Sequence, residues 1–138
     1  MNVCRLSARP EVAASTIDVL VIDDNAVIRE MLEDLLLVRG YHVATARHGQ
    51  EALELLESGP LPGLMLLDLK MPVMDGWTFL ERLQDSPWSK VPVVIRTSLV
   101  DQPETYEDLP ARYGCQVIEK GVGLTPVLDA IARCCGPR

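Results

Sequence analysis

The sequence predicts an α/β protein built on a doubly wound parallel sheet of five strands. Short apolar runs alternate five times along the chain with segments that can form helices. Runs such as Leu64–Leu67 contain no polar residue, which is typical of strands that are buried on both faces of a sheet. Because strands that alternate with helices favour right-handed crossovers, we expect helices on both faces.

The first half of the chain contains three predicted strands and two predicted helices. After the first apolar run, Ile28, Leu32 and Leu35 belong to a set of apolar residues with the i, i+4, i+7 spacing of an amphipathic helix. Gly40 stands where the end of a helix favours glycine. The predicted elements are a strand over Ile17–Ile22, the helix that ends at Gly40, a strand over Tyr41–Ala46, a helix over Gln50–Glu57 and a strand over Leu64–Leu67.

The second half of the chain repeats this alternation, with one weak segment. Asp75 is a suitable N-cap for a helix that runs to about Gln84. Thr125 is a suitable N-cap for the last helix, because Pro126 fits the first helical position. The other predicted elements are a strand over Val91–Ile95, a weak helix over residues 101–112, a strand over Gln116–Glu119 and the last helix, which ends near Cys134.

Length and composition indicate one globular domain. The chain has 138 residues, 48% of them hydrophobic, and we expect a loose tail over residues 1–16 and one domain over residues 17–135. The net charge of −7 argues against direct binding of nucleic acid, which requires basic side chains that neutralise phosphates. We expect no membrane insertion, because no apolar run approaches the ~20 residues of a membrane span. The first residues do not resemble a secretory signal, so we expect a cytoplasmic protein with reduced cysteines.

Polar side chains follow four of the predicted strands, at the point where each strand ends. Asp23 and Asp24 follow the first strand, Asp68 the third, Thr97 the fourth and Lys120 the fifth. Ligand sites of doubly wound sheets lie at this carboxyl edge. Three carboxylates that lie together repel one another unless a cation relieves them, and their oxygens suit Mg²⁺. The pattern predicts a site for a phosphoryl group, with Asp68 as the nucleophile and with Thr97, Lys120 and the metal beside the phosphoryl oxygens.

Four segments at these positions resemble the receiver domains of two-component response regulators, including single-domain regulators of the chemotaxis type. The most specific segment contains Asp68 followed by Met-Pro-x-Met-Asp-Gly. The resemblance covers about Ile17–Arg133 and implies a flavodoxin-like fold, (βα)5, with the strand order 2-1-3-4-5. The four segments are Val19–Asn25, Leu66–Gly76, Pro92–Ser98 and Ile118–Lys120.

The resemblance also implies a role for each residue at the carboxyl edge. Asp68 matches the phosphoacceptor, which takes a phosphoryl group from the phosphohistidine of a sensor histidine kinase or a histidine phosphotransfer protein. Asp24, Asp68 and the backbone carbonyl of Lys70 match the direct ligands of Mg²⁺, and Asp23 matches a residue that acts on the ion through water. The remaining matches are Thr97, the switch hydroxyl that moves toward the phosphoryl group, and Lys120, the lysine that forms an ion pair.

Four residues depart from the pattern of that family. Gly121 stands where proline is usual, and we expect a trans bond after Lys120 because a cis bond without proline costs ~2.5–4 kcal/mol. Val117 stands where the family has an aromatic switch residue. Arg96 and Glu119 stand where strand residues are usually apolar, and we predict that the two form an ion pair between neighbouring strands, since an unpaired buried charge is costly.

The favoured hypothesis is a single-domain response regulator that is phosphorylated on Asp68 and signals by binding an unidentified downstream protein. In this hypothesis the chain is not an enzyme. One alternative is a docking module with the same fold that acts without phosphorylation, which the departures at Arg96, Val117 and Gly121 leave open. A second alternative is an aspartyl-phosphate phosphatase of the haloacid dehalogenase type, although that type needs Asp-x-Asp after the first strand and Asp23 and Asp24 are adjacent. A flavodoxin would need a phosphate loop rich in Gly and Ser or Thr after the first strand, and the sequence has none there.

Overall fold

A computed structural model of the chain describes residues 17–69, 74, 76–97, 110 and 115–136. The described strands are β1 (Ile17–Ile22), β2 (Val43–Ala46), β3 (Pro62–Asp68), β4 (Val93–Thr97) and β5 (Gln116–Glu119). The described helices are α1 (Ala26–Val38), α2 (Gly49–Ser58), α3 (Gly76–Gln84) and α4 (Thr125–Cys135), and a 3-10 turn covers Lys120–Val122. All five strands are parallel and lie in the order β2-β1-β3-β4-β5, so the predicted fold class and strand order are confirmed.

Apolar side chains fill two layers, one on each face of the sheet. Helices α1 and α4 cover one face, where Leu32 and Ile131 are buried. Helices α2 and α3 cover the other face, where Leu56 and Phe79 are buried. Because successive side chains of a strand point to opposite faces, each strand contributes to both layers. None of the helices in the described part of the chain combines the length and the hydropathy of a membrane span.

Helix α1 begins and ends at residues whose chemistry favours those positions. The side-chain oxygen of Asn25 accepts hydrogen bonds from the backbone N–H groups of Val27 (3.0 Å) and Ile28 (3.2 Å), which caps the N-terminus of the helix. Gly40 has a φ of 92°, a left-handed conformation that glycine adopts without strain. Its N–H donates to the carbonyl oxygen of Leu37 at 3.0 Å, so the predicted helix end at Gly40 is confirmed.

Several boundaries differ from the prediction. Strand β2 begins at Val43, later than predicted, and β4 is shifted toward its carboxyl end. The predicted N-cap of the last helix is wrong by one residue, because Leu124 holds the cap position and Thr125 is already helical. An apolar run marks a buried segment, but the pairing with neighbouring strands decides where the strand begins. Predictions for residues 1–16, Lys70, Asp75 and most of residues 101–112 fall outside the described residues.

The register of the last two strands contradicts the predicted ion pair between Arg96 and Glu119. Strands β4 and β5 pair so that Arg96 lies beside Ile118 and Thr97 lies beside Glu119. A difference of one residue places the two charged side chains on opposite faces of the sheet, and Arg96 is buried while Glu119 is exposed. Glu119 is the register partner of Thr97, and Lys120 lies one residue further, beyond the end of β5 in the 3-10 turn.

Candidate functional site

Three carboxylates lie together at the carboxyl edge of the sheet, where β1 and β3 end. Asp23 and Asp24 follow β1, and Asp68 is the last residue of β3. One carboxylate oxygen from each of the three residues lies within 4.8 Å of the others. Asp23 is 3% exposed and Asp68 is 7% exposed, whereas Asp24 is open to solvent. The structure therefore brings together the three acids that the sequence singled out, two of them buried and one accessible.

Hydrogen bonds to the backbone and the side chain hold Asp23 in place. The backbone N–H of Asn25 donates to Oδ1 of Asp23 at 2.9 Å, and Nη1 of Arg29 donates to the carbonyl oxygen of Asp23 at 2.9 Å. The N–H of Asp23 donates to the carbonyl oxygen of Ala46 at 3.1 Å. Neither Asn25 nor Arg29 is among the residues predicted for the site. The sequence does indicate Asn25 as a candidate N-cap, because it lies between an acidic pair and a helical segment.

The ammonium group of Lys120 contacts the acidic cluster at Asp68. Its Nζ lies 3.5 Å from Oδ1 of Asp68, and the two side chains are 37% and 9% exposed, respectively. Charges that are partly withdrawn from water interact more strongly than charges on an open surface. The peptide bond between Lys120 and Gly121 is trans, as the sequence predicted.

Thr97 ends β4 at the same edge of the sheet. It lies one residue beyond the register pair of Asp68 and Arg96, and it is 2% exposed. Its side chain alternates with that of Arg96, so it leaves the sheet on the face of Ile95, toward the layer that α2 and α3 cover. The structure therefore places Thr97 at the end of β4, on the other face of the strand from Arg96.

A close backbone contact follows the end of β3 and explains why the glycine of the Met-Pro-x-Met-Asp-Gly segment is needed. The N–H of Gly76 donates to the carbonyl oxygen of Leu69 at 2.8 Å. A Cβ atom on Gly76 would lie 2.6 Å from Cα of Leu69 and 3.2 Å from the carbonyl oxygen of Asp68. No other residue fits this position without a shift of the backbone that carries Asp68. The sequence showed the motif but not this steric reason for it.

Arg96 is a further charged residue at the site, and its placement differs from the prediction. It is 8% exposed and is the register partner of Asp68 across β3 and β4. Its Nε and Nη1 atoms are buried and have no hydrogen-bond partner among the described residues. A buried cation with open N–H groups is costly, so this arrangement calls for a physical explanation.

The donor set of the acidic cluster fits Mg²⁺. Three carboxylates offer hard oxygen ligands within 4.8 Å of one another, and their mutual repulsion is relieved by a divalent cation. The exposure of Asp24 leaves one side of the cluster open to water, which Mg²⁺ retains in most protein sites. The backbone carbonyl of Lys70, the other predicted ligand, lies outside the described residues.

Known proteins resemble this chain in sequence and in fold. A family model described as the response regulator receiver domain matches residues 19–131. Among curated relatives, the probable transcriptional regulator ycf27 of Porphyridium aerugineum is 42% identical over 83 residues, which cover 60% of this chain and 33% of the relative. The chain spans about a third of the length of such curated relatives.

Solved structures match over most of the chain. A response regulator receiver protein from Pseudomonas putida matches with a TM-score of 0.75 and 28% identity, over 87% of this chain and 98% of that one. The response regulator protein TrrA of Thermotoga maritima, solved in complex with Mg(2+)-BeF, matches with a TM-score of 0.71 over 86% of this chain and 99% of that one. At 23% identity, the second likeness supports the fold alone.

Proposed function

The chain belongs to the response regulator receiver domain family of two-component signalling, and on this premise we propose that Asp68 accepts a phosphoryl group. The proposed donor is the phosphohistidine of a sensor histidine kinase or a histidine phosphotransfer protein. Receiver domains are typically signalling modules, and we propose that this one transmits its state by binding another protein rather than by catalysing turnover. The proposal assigns the receiver to residues 17–135 and a tail to residues 1–16.

The observation that carries this proposal is the environment of the Asp68 carboxylate. It is buried at a strand end, it lies within 4.8 Å of two other carboxylates, and it is 3.5 Å from the ammonium group of Lys120. A carboxylate that serves only as a helix cap or a turn residue does not need two further acids beside it. A cluster of this kind is expected where a bound cation offsets the negative charge of the carboxylates and allows a phosphoryl group to approach them.

The proposed transfer needs no further reactant. A carboxylate oxygen of Asp68 forms a bond to phosphorus while the bond from phosphorus to the histidine nitrogen breaks, and the electron pair stays with the imidazole. Lys120 stabilises negative charge on the phosphoryl oxygens, and the hydroxyl of Thr97 donates a hydrogen bond to one of them. Asp23, Asp24, Asp68 and the backbone carbonyl of Lys70 would hold Mg²⁺, which supplies positive charge beside the phosphoryl group.

Incubation with isotopically labelled acetyl phosphate and Mg²⁺ tests the phosphoacceptor directly. We expect label to enter the wild-type protein and to be absent from Asp68→Asn, because the amide cannot act as the nucleophile. Asp129→Asn is a matched control, since Asp129 is an exposed acid on α4. Label that persists in Asp68→Asn, or that is absent from the wild type with both acetyl phosphate and a histidine kinase, would contradict the proposal.

A docking module that acts without phosphorylation is the second candidate, because the family's aromatic switch position is Val117 here. Capture of the same partner by the wild type and by Asp68→Asn, with equal affinity before and after phosphorylation, would favour it. We also propose a cytoplasmic location, where the thiols of Cys115, Cys134 and Cys135 would stay reduced.

A further inference from the structure

Arg96 is a buried cation whose N–H groups are only partly used as hydrogen-bond donors within the described part of the chain. It is 8% exposed, and its Nε and Nη1 atoms have no hydrogen-bond partner within the described ranges. Arginine stays protonated under physiological conditions, so the charge cannot be removed by loss of a proton. Its β5 neighbour is Ile118, which contributes only apolar surface. Buried N–H groups without partners lower the stability of the folded protein. A state of the protein that supplies hydrogen-bond acceptors to them recovers this loss.

The register places Arg96 beside the proposed phosphoacceptor. Asp68 and Arg96 are register partners in neighbouring parallel strands, and so are Leu66 and Val94. Both Leu66 and Val94 lie in the layer covered by α1 and α4. Because side chains two residues apart share a face, Asp68 and Arg96 leave the sheet side by side on that face. Neighbouring strands are ~4.8 Å apart, so an arginine can reach a group attached to the carboxylate of its partner.

Phosphorylation would bring acceptor oxygens to the N–H groups of Arg96 that have no partner among the described residues. A carboxylate carries one negative charge, whereas the acyl phosphate that replaces it carries close to two and adds three acceptor oxygens. With acetyl phosphate as the donor, a bond forms from an Asp68 oxygen to phosphorus and the bond from phosphorus to the acetyl oxygen breaks, so that acetate leaves with the electron pair. Guanidinium groups bind phosphoryl oxygens through paired N–H donors.

We propose that Arg96 is a phosphoryl-binding residue, whose open N–H groups donate to a phosphoryl oxygen on Asp68. This inference rests on the proposed phosphorylation of Asp68 and adds to it a second cation, on the neighbouring strand β4. It also gives β4 a means of responding to phosphorylation that does not depend on an aromatic side chain at Val117. The loss of stability caused by the buried N–H groups of Arg96 then applies only to the unphosphorylated protein. Phosphorylation recovers it by supplying acceptor oxygens.

A stability measurement with and without a phosphoryl analogue tests the inference. The analogue is beryllofluoride with Mg²⁺, and its binding is followed by the shift in urea unfolding and by titration calorimetry. We expect Arg96→Met to raise stability without the analogue, because it removes buried N–H groups that have no partner among the described residues and keeps an apolar stem. The same variant should bind the analogue roughly tenfold more weakly, the size expected for one hydrogen bond to a charged group. Arg82→Met, at an exposed position of α3, is the matched control and should change neither quantity.

The outcomes separate this inference from the proposed function. If the wild type binds the analogue and Arg96→Met binds it equally well, Arg96 has no part in phosphoryl binding and Asp68 can still be the phosphoacceptor. If the wild type itself neither binds the analogue nor takes label from acetyl phosphate, both proposals are wrong. If Arg96→Met does not fold, Arg96→Lys provides the test, because lysine keeps the charge but not the paired donors. It should bind the analogue more weakly than the wild type, and unchanged affinity would overturn the inference.

Discussion

The carboxyl edge of the sheet has an acidic half, built by β1 and β3, and a basic half, built by β4 and β5. In the acidic half, hydrogen bonds from Asn25 and Arg29 fix Asp23. They hold it in a cluster of three carboxylates, where negative charge is concentrated. In the basic half Lys120 lies 3.5 Å from Asp68, whereas Arg96 is buried with two N–H sites unpaired within the described residues. The two halves therefore carry charges of opposite sign, and the contact between Lys120 and Asp68 balances only part of them.

This difference indicates how the edge could work as a switch. Hydrogen bonds hold Asp23 in place, so the acidic half is prepared for a cation. The basic half is satisfied only in part, so it has more to gain from an added anion. A divalent cation and a phosphoryl group together would therefore stabilise both halves, each through a different set of residues.

We expect the largest loss of stability from Gly76→Ala, which disturbs the backbone next to Asp68 in the acidic half. The new Cβ would lie 2.6 Å from Cα of Leu69, so the chain must move at the residue that follows Asp68. We expect a loss of ~3 kcal/mol or more of unfolding free energy, at the upper end of overpacking effects, measured by urea denaturation.

Gly59→Ala is the control for this change. A Cβ there would approach one backbone oxygen, that of Leu55, at 3.2 Å, so we expect a much smaller loss. Equal losses for the two variants would mean that the contact between Gly76 and Leu69 does not support the acidic half.

The next effect concerns the cation. If the three acids bind Mg²⁺, the ion should stabilise the wild type by ~1.4 kcal/mol at ten times its dissociation constant. Asp68→Asn should gain less than half as much, because one of the three carboxylates is gone. Thermal unfolding at increasing Mg²⁺ measures both values. An unchanged melting temperature of the wild type in millimolar Mg²⁺, together with a sharply higher one for Asp68→Asn, would show that the acids cluster without binding metal.

The acidic half was more predictable from the sequence than the basic half, for a physical reason. Asp23 and Asp68 directly follow the continuous apolar runs Val19–Ile22 and Leu64–Leu67, and parallel strands in register bring their ends together. Which residue lies beside Arg96 depends instead on the register between β4 and β5. A shift of one residue in that register exchanges the side chains that share a face of the sheet. Charge pattern alone suggested Glu119 as its partner, but only the pairing of the two backbones decides which side chains share a face.

Capping residues were only partly predictable. Asn25 was visible as a polar residue before a helical segment, but its second function, the hydrogen bond from its backbone N–H to Asp23, depends on the fold of the turn. Gly40 was correctly assigned to the end of α1, because only glycine takes its φ of 92° without strain. Local chemistry therefore predicts a helix end to within about one residue, as Gly40 and Thr125 show, whereas contacts across the turn require the structure.

A smaller effect is expected from Asn25→Ala, which links helix capping to the acidic half. The variant loses the hydrogen bonds that the Asn25 side chain accepts from Val27 and Ile28, and we expect a loss of ~1 kcal/mol by urea denaturation. Because the backbone of residue 25 also donates to Asp23, Mg²⁺ affinity should fall as well. Asn25→Ser, which keeps an N-cap, should restore both quantities. A loss of stability with unchanged Mg²⁺ affinity would show that the cap and the acidic half are independent.

The smallest effect is expected at the start of α2, which follows β2 at the same edge of the sheet but has no described contact with the acidic cluster. The carboxylate of Glu51 accepts a hydrogen bond from the backbone N–H of Arg47 at 2.7 Å, while the Glu51 N–H donates to Nδ1 of His48 at 3.2 Å. The hydrogen bond from the Arg47 backbone lowers the pKa of Glu51, with a smaller contribution from the Arg47 side chain.

A lowered pKa in the folded state stabilises the protein at neutral pH, and this contribution is lost as the pH falls through that pKa. We expect Glu51→Ala to cost ~0.5 kcal/mol at pH 7 and less as the pH drops below ~4.3, the ordinary pKa of glutamate. Urea denaturation from pH 7 to pH 3 measures the change, and Glu54→Ala on the same helix controls for the loss of a negative charge. Because this cap is separate from the acidic cluster, Glu51→Ala should leave Mg²⁺ affinity unchanged, in contrast to Asn25→Ala. A stability difference that is constant over the pH range would contradict the assignment of the effect to the Glu51 carboxylate.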